Sequence, residues 1–82
     1  MKSVTFKYST TGVETIVKMK NKIMGRIYNK GAVHKVEVPT GGIYGFSLDV
    51  ETFDKAVDFL RNYYEDFLSM AGSQASVIII QK

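Results

Sequence analysis

Hydrophobic and polar residues alternate along the first half of the chain with the two-residue period of a strand. Residues 3–8 place apolar side chains at every even position, and residues 13–20 resume the alternation after a turn at residues 9–12. The pattern predicts two strands, each buried on one face, that form a hairpin. Residues 23–28 and 33–38 flank a short Asn-Lys-Gly loop, which predicts a second hairpin.

Glycine and proline mark two special positions in this half. Gly25 lies inside the third predicted strand and indicates a β-bulge or a close backbone approach. Residues 39–45 hold the only proline and three of the seven glycines. A phosphate-binding glycine loop leads directly into a helix. Here the loop leads into β-branched and aromatic residues at 43–46, which favour a fifth strand, so we interpret 39–45 as a corner between strands.

The period changes to that of a helix at Asp49. Apolar residues recur every three or four positions, at Val50, Phe53, Val57, Leu60, Tyr64, Phe67 and Ala71. This stripe predicts an amphipathic helix of about 22 residues with Asp49 as N-cap and Gly72 just after its end. On its polar side, the spacing predicts ion pairs between Glu51 and Lys55, Asp58 and Arg61, and Arg61 and Glu65.

A last strand is predicted at residues 76–81, where Val77 to Ile80 would place apolar side chains on both faces of the strand. A solvated edge strand of this kind would be prone to aggregation. We therefore expect the strand to be central in the sheet or to pair with a second copy of the chain in a homodimer. Together the elements predict a single α+β domain over residues 1–82. It consists of an antiparallel meander of about five strands, one long helix packed on one sheet face, and a C-terminal strand.

Composition narrows the classes of function. The chain has 82 residues, 23% of them charged, and no cysteine, and its apolar runs are far shorter than a membrane span. We expect a cytoplasmic protein with no membrane partner. Its charge is divided: residues 1–48 carry eight lysines and arginines against two acids, whereas residues 49–82 carry three against six. The two halves should present opposite electrostatic fields.

Residues suited to catalysis are scarce. His34 is the only histidine, and its neighbours of the same strand parity are Val36 and Val38. This pattern favours a partly buried side chain over a general base, because Glu37 lies on the opposite parity and cannot orient the ring. One histidine without cysteine argues against a zinc site. We therefore expect no enzymatic activity, no metal and no cofactor, and a small enzyme is the least favoured class of function.

The sheet face turned away from the helix is the predicted partner-binding surface. Strand alternation places cations there together with aromatic and apolar side chains. These residues are Lys7, Lys18, Lys20, Met24, Arg26, Tyr28 and Lys35. The surface suits docking on an acidic protein surface, as in a small inhibitor or adaptor, or sequence-independent binding of nucleic acid. A third interpretation is that the lysines only solubilise the protein.

Overall fold

A computed structural model describes residues 2–39 and 45–82 as one six-stranded sheet with a single helix packed on one face. The predicted α+β class, with an antiparallel meander, one helix and a C-terminal strand, is confirmed. The elements are β1 (Lys2–Thr11), β2 (Glu14–Met19), β3 (Lys22–Asn29), β4 (His34–Val38), β5 (Phe46–Val50), α1 (Phe53–Met70) and β6 (Ala75–Gln81). The corner predicted at residues 39–45 lies largely outside the described residues.

The strands lie in the order β5-β4-β3-β2-β1-β6. Strands β1 to β5 pair antiparallel with their neighbours, whereas β6 pairs parallel with β1, with Lys2 opposite Ala75 and Phe6 opposite Ile79. A parallel pair needs a long crossover, which α1 supplies. The prediction of a central position for β6 is therefore wrong: this strand forms an edge of the sheet.

The helix begins three residues later than the sequence indicated. Thr52 is the N-cap, and its hydroxyl accepts a hydrogen bond from the Lys55 N–H at 3.1 Å. Asp49 belongs to β5 instead, where it pairs in register with Lys35. Pairing with β4 outweighs the local capping preference here. At its other end α1 stops as predicted, with Gly72 at a φ of 83°.

The core lies between α1 and the sheet. Its buried apolar residues are Phe6, Val17, Met24, Ile27, Val36, Val38, Ala56, Leu60 and Val77. Leu60 is fully buried, which confirms the centre of the predicted helix stripe. Phe67 departs from it: 58% of this residue is exposed. It lies beside a cavity between α1 and the sheet rather than over packed side chains.

Gly25 combines the two features that its position in a strand predicted. The pairing of β2 with β3 shifts register, since Val17 lies opposite Gly25 while Lys18 lies opposite Ile23. Met24 is the extra residue of this bulge. A Cβ added to Gly25 would lie 2.8 Å from Leu60 Cδ2 and 3.3 Å from the Glu37 carbonyl oxygen. The glycine therefore lets the helix approach the sheet closely.

The only helix among residues 2–39 and 45–82 is not both long and apolar enough to cross a membrane.

Candidate interaction surface

The sheet surface opposite α1, here called the open face, carries five of the seven predicted partner-binding residues. Cross-strand register places Lys7 opposite Lys18, and Tyr28 opposite Lys35. Arg26 lies between Ile16 and Glu37 in the same row of strand positions. Lys7, Lys18, Arg26, Tyr28 and Lys35 therefore share one face, as strand alternation predicted.

Met24 does not lie on the open face. It is buried in the core, and its carbonyl oxygen accepts a hydrogen bond from the Tyr64 hydroxyl of α1. The bulge in β3 explains the difference, because one extra residue breaks the strict alternation on which the prediction depended. Burial raises the pKa of Tyr64 to about 12, and neighbouring Tyr63 adds to this shift. The phenol therefore stays protonated and keeps donating at a more alkaline pH than an ordinary tyrosine would.

Lys20 is also placed differently from the prediction. It is not part of β2 but lies with Asn21 in the two-residue loop between β2 and β3. Its φ of 58° is in the left-handed region, as tight hairpin loops require. Its ammonium group is therefore carried at one end of the sheet, beside Lys22, instead of on a strand face.

Strands β3 and β4 contribute an open-face region of mixed charge. Arg26 Nε lies 3.7 Å from a Glu14 carboxylate oxygen, and Lys35 Nζ lies 3.4 Å from one of Glu37. Tyr28 lies between Glu14 and Lys35 in register. Partial burial and a hydrogen bond to Glu14 raise the pKa of the Tyr28 phenol above its ordinary value. Cations here already have acidic neighbours, so this region presents little uncompensated positive charge.

Strands β2, β1 and β6 form a different region, which we call the isoleucine–lysine patch: Lys7, Lys18, Ile16, Ile78 and Ile80. Ile80 lies beside Lys7, and Ile78 beside Thr5, in the parallel register of β1 and β6. Ile78 and Ile80 are 44% and 43% exposed. Sequence analysis missed the isoleucines as part of this surface. Their apolar run was visible, but its parallel pairing with β1 was not.

The free edge of β6 is partly covered by the helix. Lys82 donates its backbone N–H to the Tyr8 carbonyl at 2.8 Å, so alternate residues of β6 point their backbone groups away from β1. The Val77 N–H is one of these, and it donates to a Glu65 carboxylate oxygen at 2.8 Å.

The predicted ion pairs on the polar side of α1 form in part. Glu65 binds Val77 and does not form the predicted pair with Arg61, which binds Asp58 at 2.6 Å. The predicted pair of Glu51 with Lys55 is confirmed at 3.0 Å.

His34 is half-buried, which confirms the predicted partial burial of this residue. Its ring packs edge-on against Phe53, with centroids 6.3 Å apart. Among the described residues, nothing forms a hydrogen bond with its buried Nδ1. The same part of the chain contains no cluster of three histidines and acids that could hold a metal ion.

Comparison of the chain with protein-family profiles, with curated proteins and with solved structures finds no match.

Proposed function

We propose that this protein is a non-enzymatic binding module, of the inhibitor or adaptor kind, that docks on an acidic protein surface through the isoleucine–lysine patch. The observation that carries the proposal is the register of β6, β1 and β2. It places the exposed Ile80 beside Lys7, which faces Lys18 on the next strand, and it places the exposed Ile78 two residues from Ile80 on the same face. Apolar side chains surrounded by charge are typical of protein interfaces.

The charges of the open face support a protein partner over nucleic acid. Tyr28 is the aromatic residue on which a base could stack, but Glu14 and Glu37 lie beside it, and Asp49 follows in register. These carboxylates would repel a phosphate backbone. The patch itself offers aliphatic side chains, which suit a protein surface better than a base.

The proposal of a module without catalysis is supported by the environment of His34. A general base needs a partner that fixes its tautomer and orientation. The His34 ring instead packs against Phe53. A cytoplasmic location belongs to the same proposal and draws on the absence of cysteine from the sequence.

The patch can be tested by reversing its charges. We expect the double variant Lys7→Glu/Lys18→Glu to weaken capture of the partner about tenfold or more. The two new carboxylates would repel the acidic surface of the partner across the interface. Folding should be unaffected, since exposed charges contribute little to stability. The measurement is capture by immobilised protein from extracts of the source cell, with and without nuclease, followed by titration of the captured component.

A matched control is Lys30→Glu/Lys55→Glu, which changes the net charge equally at exposed positions outside the patch. It should retain the partner. Equal loss in both double variants would show a nonspecific charge effect and contradict the proposal. Capture that disappears with nuclease would favour the nucleic-acid alternative instead.

The homodimer through β6 remains a separate proposal. The backbone groups of Ile79 and Gln81 point away from β1, as do those of Val77, and could pair with a second copy about a twofold axis. We expect the wild type to sediment as a dimer at micromolar concentration. Gln81→Pro removes one outward N–H and should sediment as a monomer, whereas Gln81→Ala should not. A wild type that stays monomeric at every concentration would rule out this dimer.

A further inference from the structure

A cavity of about 620 Å³ lies on the helix side of the sheet, between the C-terminal half of α1 and the end of the sheet that carries the β2–β3 loop. Phe6 and Met24 line it from the sheet, and Tyr64 and Phe67 line it from the helix. Its volume falls within the range of about 300 to 1,000 Å³ that is usual for small-molecule sites. The cavity is separated from the isoleucine–lysine patch by the thickness of the sheet.

The walls of the cavity are almost entirely apolar. Two tyrosines, Tyr63 and Tyr64, also line it, and the Tyr64 hydroxyl already donates to the Met24 carbonyl. Phe67 stands at the cavity with 58% of its surface exposed, an unfavourable arrangement for so large an apolar side chain. An apolar ligand that covered Phe67 would therefore gain free energy from removing this surface from water.

Positive charge lies at the same end of the sheet. Lys22 is the one charged side chain among the described residues that line the cavity. Lys20 lies two residues from Lys22, in the β2–β3 loop. Lys2 lies two residues before the lining residue Val4 in β1, and strand alternation therefore places both on the same face of the sheet. A ligand with an apolar body would therefore find cations for an anionic head.

We propose that this cavity binds a single-chain carboxylic acid. Its alkyl chain would lie against Phe6, Met24 and Phe67, and its carboxylate would meet the ammonium group of Lys22. The site is independent of the docking function proposed for the open face. The complementarity is twofold: apolar walls match the chain, and the lysine at the cavity matches the head.

Calorimetric titration of the protein with dodecanoate, kept below its micelle-forming concentration, tests the proposal. Decanoate, which is two methylenes shorter, should bind about fifteenfold more weakly, since each buried methylene contributes about 0.8 kcal/mol. Lys22→Glu should weaken dodecanoate about fivefold and leave dodecanol unchanged, because only the acid carries the charge. Phe67→Asp should abolish binding of both ligands.

Two control variants separate the cavity from general effects. Met70→Asp changes another exposed apolar residue of α1, 88% exposed and not at the cavity, and Lys18→Glu reverses a lysine of the open face. Both should bind dodecanoate like the wild type, and thermal melts should show that every variant is folded. Dodecanoate that fails to bind, or that binds equally well to Phe67→Asp, would overturn the proposal. Binding only to phosphatidylglycerol vesicles, without binding of monomeric dodecanoate, would also overturn it.

Discussion

Replacing Leu60 by alanine is expected to destabilise the protein by about 2 to 5 kcal/mol. Leu60 is fully buried at the centre of the contact between α1 and the sheet, and its methyl groups pack over Gly25. Removing them leaves a cavity that the surrounding strands cannot fill without moving. A domain of this size has a free energy of unfolding of roughly 4 to 12 kcal/mol, so the variant should be close to unfolding. Urea denaturation followed by circular dichroism measures the change.

Asp58→Ala and Phe67→Ala serve as controls on the same helix. Asp58 makes an exposed ion pair with Arg61, and Phe67 is mostly exposed, so each should cost less than about 1 kcal/mol. A loss of stability in Phe67→Ala equal to that in Leu60→Ala would mean that the helix packs through a different face.

Replacing Gly25 by alanine is expected to cost about 1 to 3 kcal/mol, although it adds only one methyl group. The new Cβ would lie 2.8 Å from Leu60 Cδ2 and 3.1 Å from Leu60 Cδ1, far inside contact distance. The Glu37 carbonyl oxygen at 3.3 Å restricts movement on the other side. The same urea experiment measures this cost.

The double variant Gly25→Ala/Leu60→Ala makes the interpretation specific. Shortening Leu60 removes the atoms that the new methyl group would meet, so the two costs should be less than additive. Additive costs would contradict the contact with Leu60 as the cause and would assign the cost of Gly25→Ala to the approach of the Glu37 carbonyl oxygen.

The parts of the fold that were predicted correctly depend on local patterns. Two-residue alternation identified the early strands, and the helix period identified the buried position of Leu60. The start of α1 was placed too early because Asp49 is a good N-cap in isolation. Its pairing with Lys35 on β4 is a tertiary contact that a single-sequence pattern does not contain.

In the interaction surface, too, the features set by local alternation were predicted correctly, and those set by irregular or long-range pairing were not. Lys7, Lys18, Arg26, Tyr28 and Lys35 were assigned to one face correctly, because alternation alone decides the face of a regular strand. Met24 was assigned to that face incorrectly. It is the extra residue of the bulge in β3, where the alternation of side chains between the two faces is interrupted. The position of β6 could not be derived, since its neighbour is the first strand of the chain.

The parallel pairing of β6 with β1 also bears on the order of events during folding. Short connections join each of the strands β1 to β5 to the next. The pairing of Lys2 with Ala75, in contrast, joins the two ends of the chain and requires α1 to cross the sheet. Closing so long a loop costs more entropy than closing a hairpin, so we expect this contact to form last. Until it does, β1 exposes its own unpaired edge, and Val77, Ile78, Ile79 and Ile80 remain in water. We therefore expect the incompletely folded chain to be more prone to aggregate than the native protein, in which β6 pairs with the edge of β1 and Val77 is buried.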